Sequence, residues 1–292
     1  LEKIDFSNRY PNLGEIVWDK NEIPDKYLKY FCIGLSGVYA LFLVVGRIVS
    51  GVHWASDIIG AMLISAALIF TYFGLKSLLI EKLKNEKPDI IVITGDFIDP
   101  NRMHMEQSIN FVKEIKGIAP IYYVSGNHEA KISNYEEWKN LLEEQGVIIL
   151  ENETKIIEKE NSKINIIGIN DPKMAHEKSV KNSTIINKEL EISNYNKDLF
   201  SILLSHRPEV FRTYVENNID LVLTGHAHGG QIRIPFIGGI VAPNQGLFPK
   251  YTSGLFTENN TNMIISRGIG NSIIPFRINN RPELVVITLK TN

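Results

Sequence analysis

Four short apolar runs, each breaking off at a cluster of polar side chains, constrain this chain more than any other feature. Ile90–Thr94 leads into Gly95-Asp96-Phe97-Ile98-Asp99, and Ile121–Ser125 into Gly126-Asn127-His128-Glu129. Phe200–Ser205 ends at His206, and Leu221–Thr224 at Gly225-His226-Ala227-His228-Gly229-Gly230. Continuous rather than alternating apolar residues mark strands buried on both faces, as in a parallel sheet covered by helices. An open α/β sheet collects its ligand-binding groups in the loops at the carboxyl ends of such strands. The four clusters therefore stand where they can converge on one site.

Further strands are predicted at Val147–Leu150, Lys163–Ile169, Asn262–Ser266 and Leu284–Leu289, and helices at His104–Lys116, Tyr135–Glu144 and Pro208–Glu216. Residues 171–198 are polar and aperiodic, and read as a loop with a helical turn. With 292 residues and 44% hydrophobic content the chain can bury a sizeable core. A net charge of −2 offers no basic field for a nucleic-acid backbone, so nucleic acid is not expected as a partner. The single cysteine, Cys32, excludes an internal disulfide and a multi-thiolate metal site, so any metal must use nitrogen and oxygen ligands.

The first part of the chain has a different texture. Tyr30 to Gly46 and Ile58 to Leu75 carry no charge until the segment between them and read as two membrane helices, their small residues suited to close packing in lipid. Lysines flank the pair on both outer sides, which puts both flanks on the cytoplasmic side and the loop between them outside. That loop holds Arg47, His53 and Asp57, ionisable groups that are costly beside lipid and therefore functional candidates. The expected organisation is a polar segment at 1–29, a helical hairpin at 30–80 and an α/β domain at 81–292.

Two cations held close together need a bridging carboxylate and neutral imidazole or carbonyl ligands. Asp96, Asn127, His206, His226 and His228 supply that set. The ordered blocks Gly-Asp-x-x-Asp, Gly-Asn-His-Glu, a strand-end His and Gly-His-x-His resemble the calcineurin-like metallophosphoesterases, over about 81–290, and the segments after Gly229 resemble that family's bacterial, membrane-associated branch. The resemblance implies a four-layer α-β-β-α sandwich and hydrolysis of phosphomonoester, phosphodiester or pyrophosphate bonds by water activated by two divalent metals, Mn, Fe or Zn. It implies that Asp96 bridges the metals, that Asn127, His206 and His226 complete one position, and that His228 belongs to the other. His128 would face the scissile phosphate, with Asp99 holding it as the cation, and Glu129 would stand behind the ligands. Arg233 or Arg267 would be available to a substrate phosphate. The substrate would be a phosphorylated small molecule or a lipid-linked compound, and the protein would be associated with a bacterial cell membrane.

The family's opening Asp-x-His has no counterpart about thirty residues before Asp96, where Ser65-Ala66-Ala67-Leu68-Ile69-Phe70 stands. In the same region Arg47, His53 and Asp57 resemble the last motif of the type 2 phosphatidic acid phosphatases. There the counterpart of His53 is the nucleophile, that of Asp57 orients it and that of Arg47 binds phosphate. The earlier motifs of that second family are absent, which suggests a chimera: a hydrolase that retains one of its two metals, with an integral-membrane lipid phosphatase using His53 or a non-catalytic chimeric remnant as the alternatives.

Overall fold

The computed structural model describes residues 2–5, 15–22, 63, 78–100, 105–159, 162–177, 179–270 and 277–290. The chain divides into two compact units, Leu1–Glu22 with Glu86–Asn292, and Ile23–Asn85. In the second unit residue 63 and the stretch 78–85 are helical. Among the described residues no helix is long and apolar enough to cross a membrane. The two apolar runs, apart from Leu63, lie outside the described residues, as do Arg47, His53 and Asp57.

The first unit is a mixed α/β fold. Strands β3 (Ile91–Thr94), β4 (Ile121–Val124) and β5 (Val147–Ile149) form a parallel sheet in that order. A six-stranded sheet runs β14 (Gly254–Glu258), β15 (Thr261–Ile265), β9 (Leu221–Thr224), β8 (Phe200–Leu204), β7 (Ser162–Gly168) and β6 (Glu153–Lys159). Its four central strands are parallel and its two edge strands antiparallel. A third sheet joins β1 (Glu2–Asp5), β2 (Glu15–Glu22) and β16 (Glu283–Leu289). Two short hairpins, β10 (Arg233–Ile234) with β11 (Gly238–Gly239) and β12 (Val241–Ala242) with β13 (Gly246–Leu247), follow the His226–Gly230 turn.

One core lies between sheets. Tyr122 and Val124 share it with Ile166, Ile202, Leu204, Leu221 and Leu223, and Val285, Ile287 and Leu289 pack against it. The opposite face of the six-stranded sheet, through Leu203, Val222, Met263 and Ile265, covers α3 (Asn182–Ser193) and α4 (Phe211–Glu216). Helices α1 (Met105–Ile115) and α2 (Tyr135–Glu144) are joined by Trp138, fully buried, whose indole N–H donates to Ser108 Oγ at 2.8 Å. Tyr123 of β4 stands edge-on to that indole, with ring centroids 5.7 Å apart, which ties both helices to the first sheet.

Residues 171–198 are not a loop: they hold α3 and a short 3-10 turn at Pro172–Ala175. The inward positions Ile185, Ile186, Glu189, Leu190 and Ser193 do repeat at helical spacing, but two of the five are polar and hide the apolar stripe. Strand β6 is a second departure from expectation, because a Glu- and Lys-rich edge strand lacks the apolar run of a central one. The strands β1 and β2 fall in the segment expected to be merely polar.

Among the described residues one carboxylate oxygen of Glu189 has no hydrogen-bond partner, and burial, reinforced by the charge of Asp171, raises its pKa from 4.5 to about 8. The fold thus favours the neutral carboxyl. That contribution is complete below the unfolded value of 4.5 and is lost as pH rises through about 8. We expect Glu189→Gln to remove part of the stability loss between pH 6 and pH 9, on the order of 2–4 kcal/mol. Denaturant melts of both proteins at the two pH values check this, and parallel pH profiles would refute it.

Candidate metal centre

Asp96 stands two residues after β3, Asn127 three after β4, and His206 and His226 two after β8 and β9. Parallel pairing of β3 with β4, and of β8 with β9, brings each pair of clusters to the same end of its sheet. Asp96, His206 and His226 then offer ligand atoms that all lie within 4.8 Å of one another. His206 Nε2 is 3.2 Å from Asp96 Oδ2 and 3.0 Å from His226 Nδ1. His206 Nδ1 is 2.7 Å from the carbonyl of Thr94, which accepts its proton and leaves Nε2 facing the cluster.

The backbone is built around these residues. Asp96, His226 and His228 have φ of 52°, 62° and 48°, a left-handed conformation that costs a non-glycine residue about 1–2 kcal/mol. Three expected ligands in this region mark a site where geometry is held at the expense of stability. The glycines beside them are required. Gly95 has φ of 84°, and a Cβ on Gly126 would stand 2.3 Å from Asp96 N, so the two loops touch backbone to backbone. Glu129, fully buried, fastens the contact by accepting N–H groups of Asp96 at 3.0 Å, Phe97 at 2.7 Å and Gly126 at 2.8 Å.

His128 meets the same carboxylate: its N–H donates to Asp96 Oδ1 at 2.9 Å, and its Nε2 lies 3.7 Å from Asp96 Oδ2. Asn127 is buried and its Oδ1 has no hydrogen-bond partner among the described residues. An amide oxygen left so is unfavourable unless something else takes it up, and a divalent cation fits. The donor set of carboxylate, amide oxygen and imidazoles suits Mn, Fe or Zn. His228 lies outside the three-residue group, half-buried on the turn that follows. Asp99 sits half-buried three residues beyond Asp96.

The charges are strongly coupled. Burial opposes ionisation of Asp96, but the neighbouring His206 and His128 outweigh it and hold the carboxyl far below its usual range. Burial also works against charge on His206, yet Asp96 prevails and raises it from 6.5 to about 9. His226 is driven well below its ordinary value by burial, then by the His206 and Arg207 charges. Burial is the chief cause again at His228, lowered to about 4. Glu129 is pushed up to about 7 by burial and the Asp96 charge, against its N–H bonds and His206.

Arg207 is a participant the sequence did not single out. It is fully buried, its Nε and Nη2 grip Asp171, with the Nη2 contact at 2.8 Å, and its Nη1 donates to His226 Nε2 at 3.0 Å. Asn244, in the turn of the β12–β13 hairpin, lies 3.1 Å from the same nitrogen. These contacts fix the ring so that Nδ1 faces His206. Nothing in the sequence ties Asp171 to Arg207, 36 positions apart.

A pattern described as calcineurin-like phosphoesterase matches residues 56–230. The chain belongs to this family. It is therefore a hydrolase of the metallophosphoesterase type, in a family that uses divalent metals. It is 31% identical over 232 residues to the metallophosphoesterase YkuE of Bacillus subtilis, covering 78% of this chain and 77% of that protein. It is 26% identical over 212 residues to the phosphodiesterase YaeI of Escherichia coli, covering 70% and 71%. Against a zebrafish (Danio rerio) transmembrane protein with metallophosphoesterase domain it is 28% identical over 209 residues, covering 70% of this chain and 46% of the other.

Two outcomes follow for the centre. Gly126→Ala forces backbone apart at Asp96 and is expected to weaken metal binding by roughly tenfold or more, read by competition with a chelating dye. In the metal-free protein His206 holds its proton up to about pH 9, so metal must displace it at neutral pH. Apparent Mn affinity should rise from pH 7 to pH 9 with about one proton released per metal, measured by calorimetry in buffers of different ionisation enthalpy. A flat profile would contradict the assignment of His206.

Proposed function

We propose that this chain is a metal-dependent phosphohydrolase acting on a phosphomonoester, phosphodiester or pyrophosphate bond, with one metal position well furnished and the other depleted. The observation that carries the reading is the convergence of Asp96, His206 and His226 within 4.8 Å. Asn127 Oδ1 would complete that position. The other would retain Asp96 and His228, because no Asp-x-His stands at residues 65–70. Helix residues packed on the six-stranded sheet, and Trp138 packed on Tyr123 of the first sheet, support the four-layer arrangement expected of the family.

A bound divalent ion would supply Lewis acidity toward the phosphate oxygens and lower the pKa of water. The protein's own residues do the rest. Asp96, held ionised, and the neutral His228 would offer lone pairs to the cation, and His226 would offer Nδ1 once the proton that the Arg207 donor at Nε2 places there is displaced. Thr94 and Arg207 orient the two inner rings through their outward nitrogens. His128, next to Asp96 on the rim, is the group assigned to the leaving oxygen, as proton donor or as a stabilising cation, with Asp99 as its partner.

A membrane location and a lipid-linked substrate go with this reading. They are supported by the apolar runs Tyr30–Gly46 and Ile58–Leu75 and by the similarity to the zebrafish transmembrane protein. Phe236, Ile237, Leu247 and Phe248, on the hairpins beside the centre, are largely exposed, and such apolar surface suits an apolar substrate tail.

Hydrolysis of an aryl phosphodiester with added Mn tests the proposal. Slow turnover is expected with about one metal per chain by elemental analysis, and Asp96→Ala or His226→Ala should each lower it at least roughly a hundredfold. Turnover indifferent to both substitutions would sink it.

A further inference from the structure

The sequence left Arg233 and Arg267 as the cations available to a substrate phosphate, but the structure shows both engaged. Arg233 Nη1 donates to the carbonyl of Gly229 at 2.8 Å and to Thr252 Oγ1 at 3.3 Å. Arg267 Nε lies 3.1 Å from the buried carboxylate of Glu283. A third arginine differs. Arg277 donates through Nη2 to the carbonyls of Arg267, at 2.9 Å, and Gly270, while its Nε and Nη1 are buried with no hydrogen-bond partner among the described residues.

Its position is fixed by backbone. Ile278 bridges Ile232, and its carbonyl accepts the N–H of Arg233 at 2.9 Å. Asn280 Nδ2 donates to the carbonyls of His228 at 2.6 Å and Gln231 at 3.1 Å. The segment 277–280 thus lies along the turn that carries His228. Arg277 therefore stands on backbone that runs beside the His228 turn. Burial, then the repulsion of Arg267, lowers Arg277's own pKa to about 10. Among Arg267, Arg277 and Glu283 one positive charge is left over.

A buried cationic donor left unmade costs more than an ordinary hydrogen bond contributes, and folded proteins rarely keep two on one side chain. We infer that Arg277 is an anion-binding residue of the metal centre, and that its free N–H groups take up a non-bridging oxygen of a phosphate group on the His228 side. The inference rests on the phosphohydrolase reading for its choice of anion. A guanidinium cannot lose its proton under working conditions, so the contact would persist across the enzyme's pH range.

The probe is inorganic phosphate, titrated by calorimetry into the full chain, Mn-loaded and metal-stripped, as parent, Arg277→Gln and Arg277→Lys. Metal content is measured on the same samples, so failure of the metal reading shows as missing metal, separately from any change in phosphate affinity. Arg277→Gln is expected to weaken phosphate binding by roughly tenfold or more in whichever form binds it, with metal content unchanged. Arg277→Lys, which keeps the charge but not the fork, should recover part of the loss. Should the Gln variant fail to fold, a Lys variant several-fold weaker than the parent still supports the inference. Equal affinity in parent and folded variants, or no phosphate binding by the parent in either form, overturns it.

Discussion

The carboxylate of Glu129 is the fastening on which the centre depends. It accepts N–H groups from the loop after β3 and the loop after β4 at once, at the point where Gly95 and Gly126 let the two backbones touch. Without side chains at those glycines the loops can close to contact distance; without the carboxylate, three backbone donors, that of Gly126 buried, would lose their acceptor. Asp96 and Asn127 are carried on the closed loops. The ligand geometry is therefore set by main-chain bonds one step removed from the ligands.

The second sheet contributes the histidines through a different device. His206 is anchored by the Thr94 carbonyl on the first sheet's β3, so the two sheets meet at the cluster through a single ring as well as through their apolar core. His226 is anchored from behind by Arg207, whose charge is neutralised by Asp171 deep in the fold. One inner ring is biased toward charge by Asp96, and the other is kept neutral by burial and the cations around it. A pair of imidazoles in contact could not both be charged, and the fold decides which one is.

Much of this was legible in the sequence because buried parallel strands announce themselves as unbroken apolar runs, and their loops fall just beyond. The strands leading to Asp96, Asn127, His206 and His226 are found within a residue or two of where the runs stand. What escaped was structure whose stabilisation is not local. α3 buries Glu189 and Ser193 among its apolar positions, β6 is a charged edge, and β1 and β2 take their meaning from a partner at the other end of the chain. The roles of Arg207 and Arg277 escaped for a related reason. An arginine in a sequence is a surface charge until its surroundings are known, and only the missing or present partners around it say otherwise.

The pairing of β2 with β16 has a consequence for how the two units are joined. Seven residue pairs, from Glu283 with Glu22 to Leu289 with Ile16, lock the strand before the Ile23–Asn85 unit to the last strand of the other. That unit is thus an excursion, leaving after β2 and returning ahead of β3, rather than a module strung ahead of a finished domain. Both its roots are held by one body. A break in the chain inside the excursion would leave the two pieces still zipped together by strand pairing, and any pull on the excursion would be delivered to the hydrolase at two places at once.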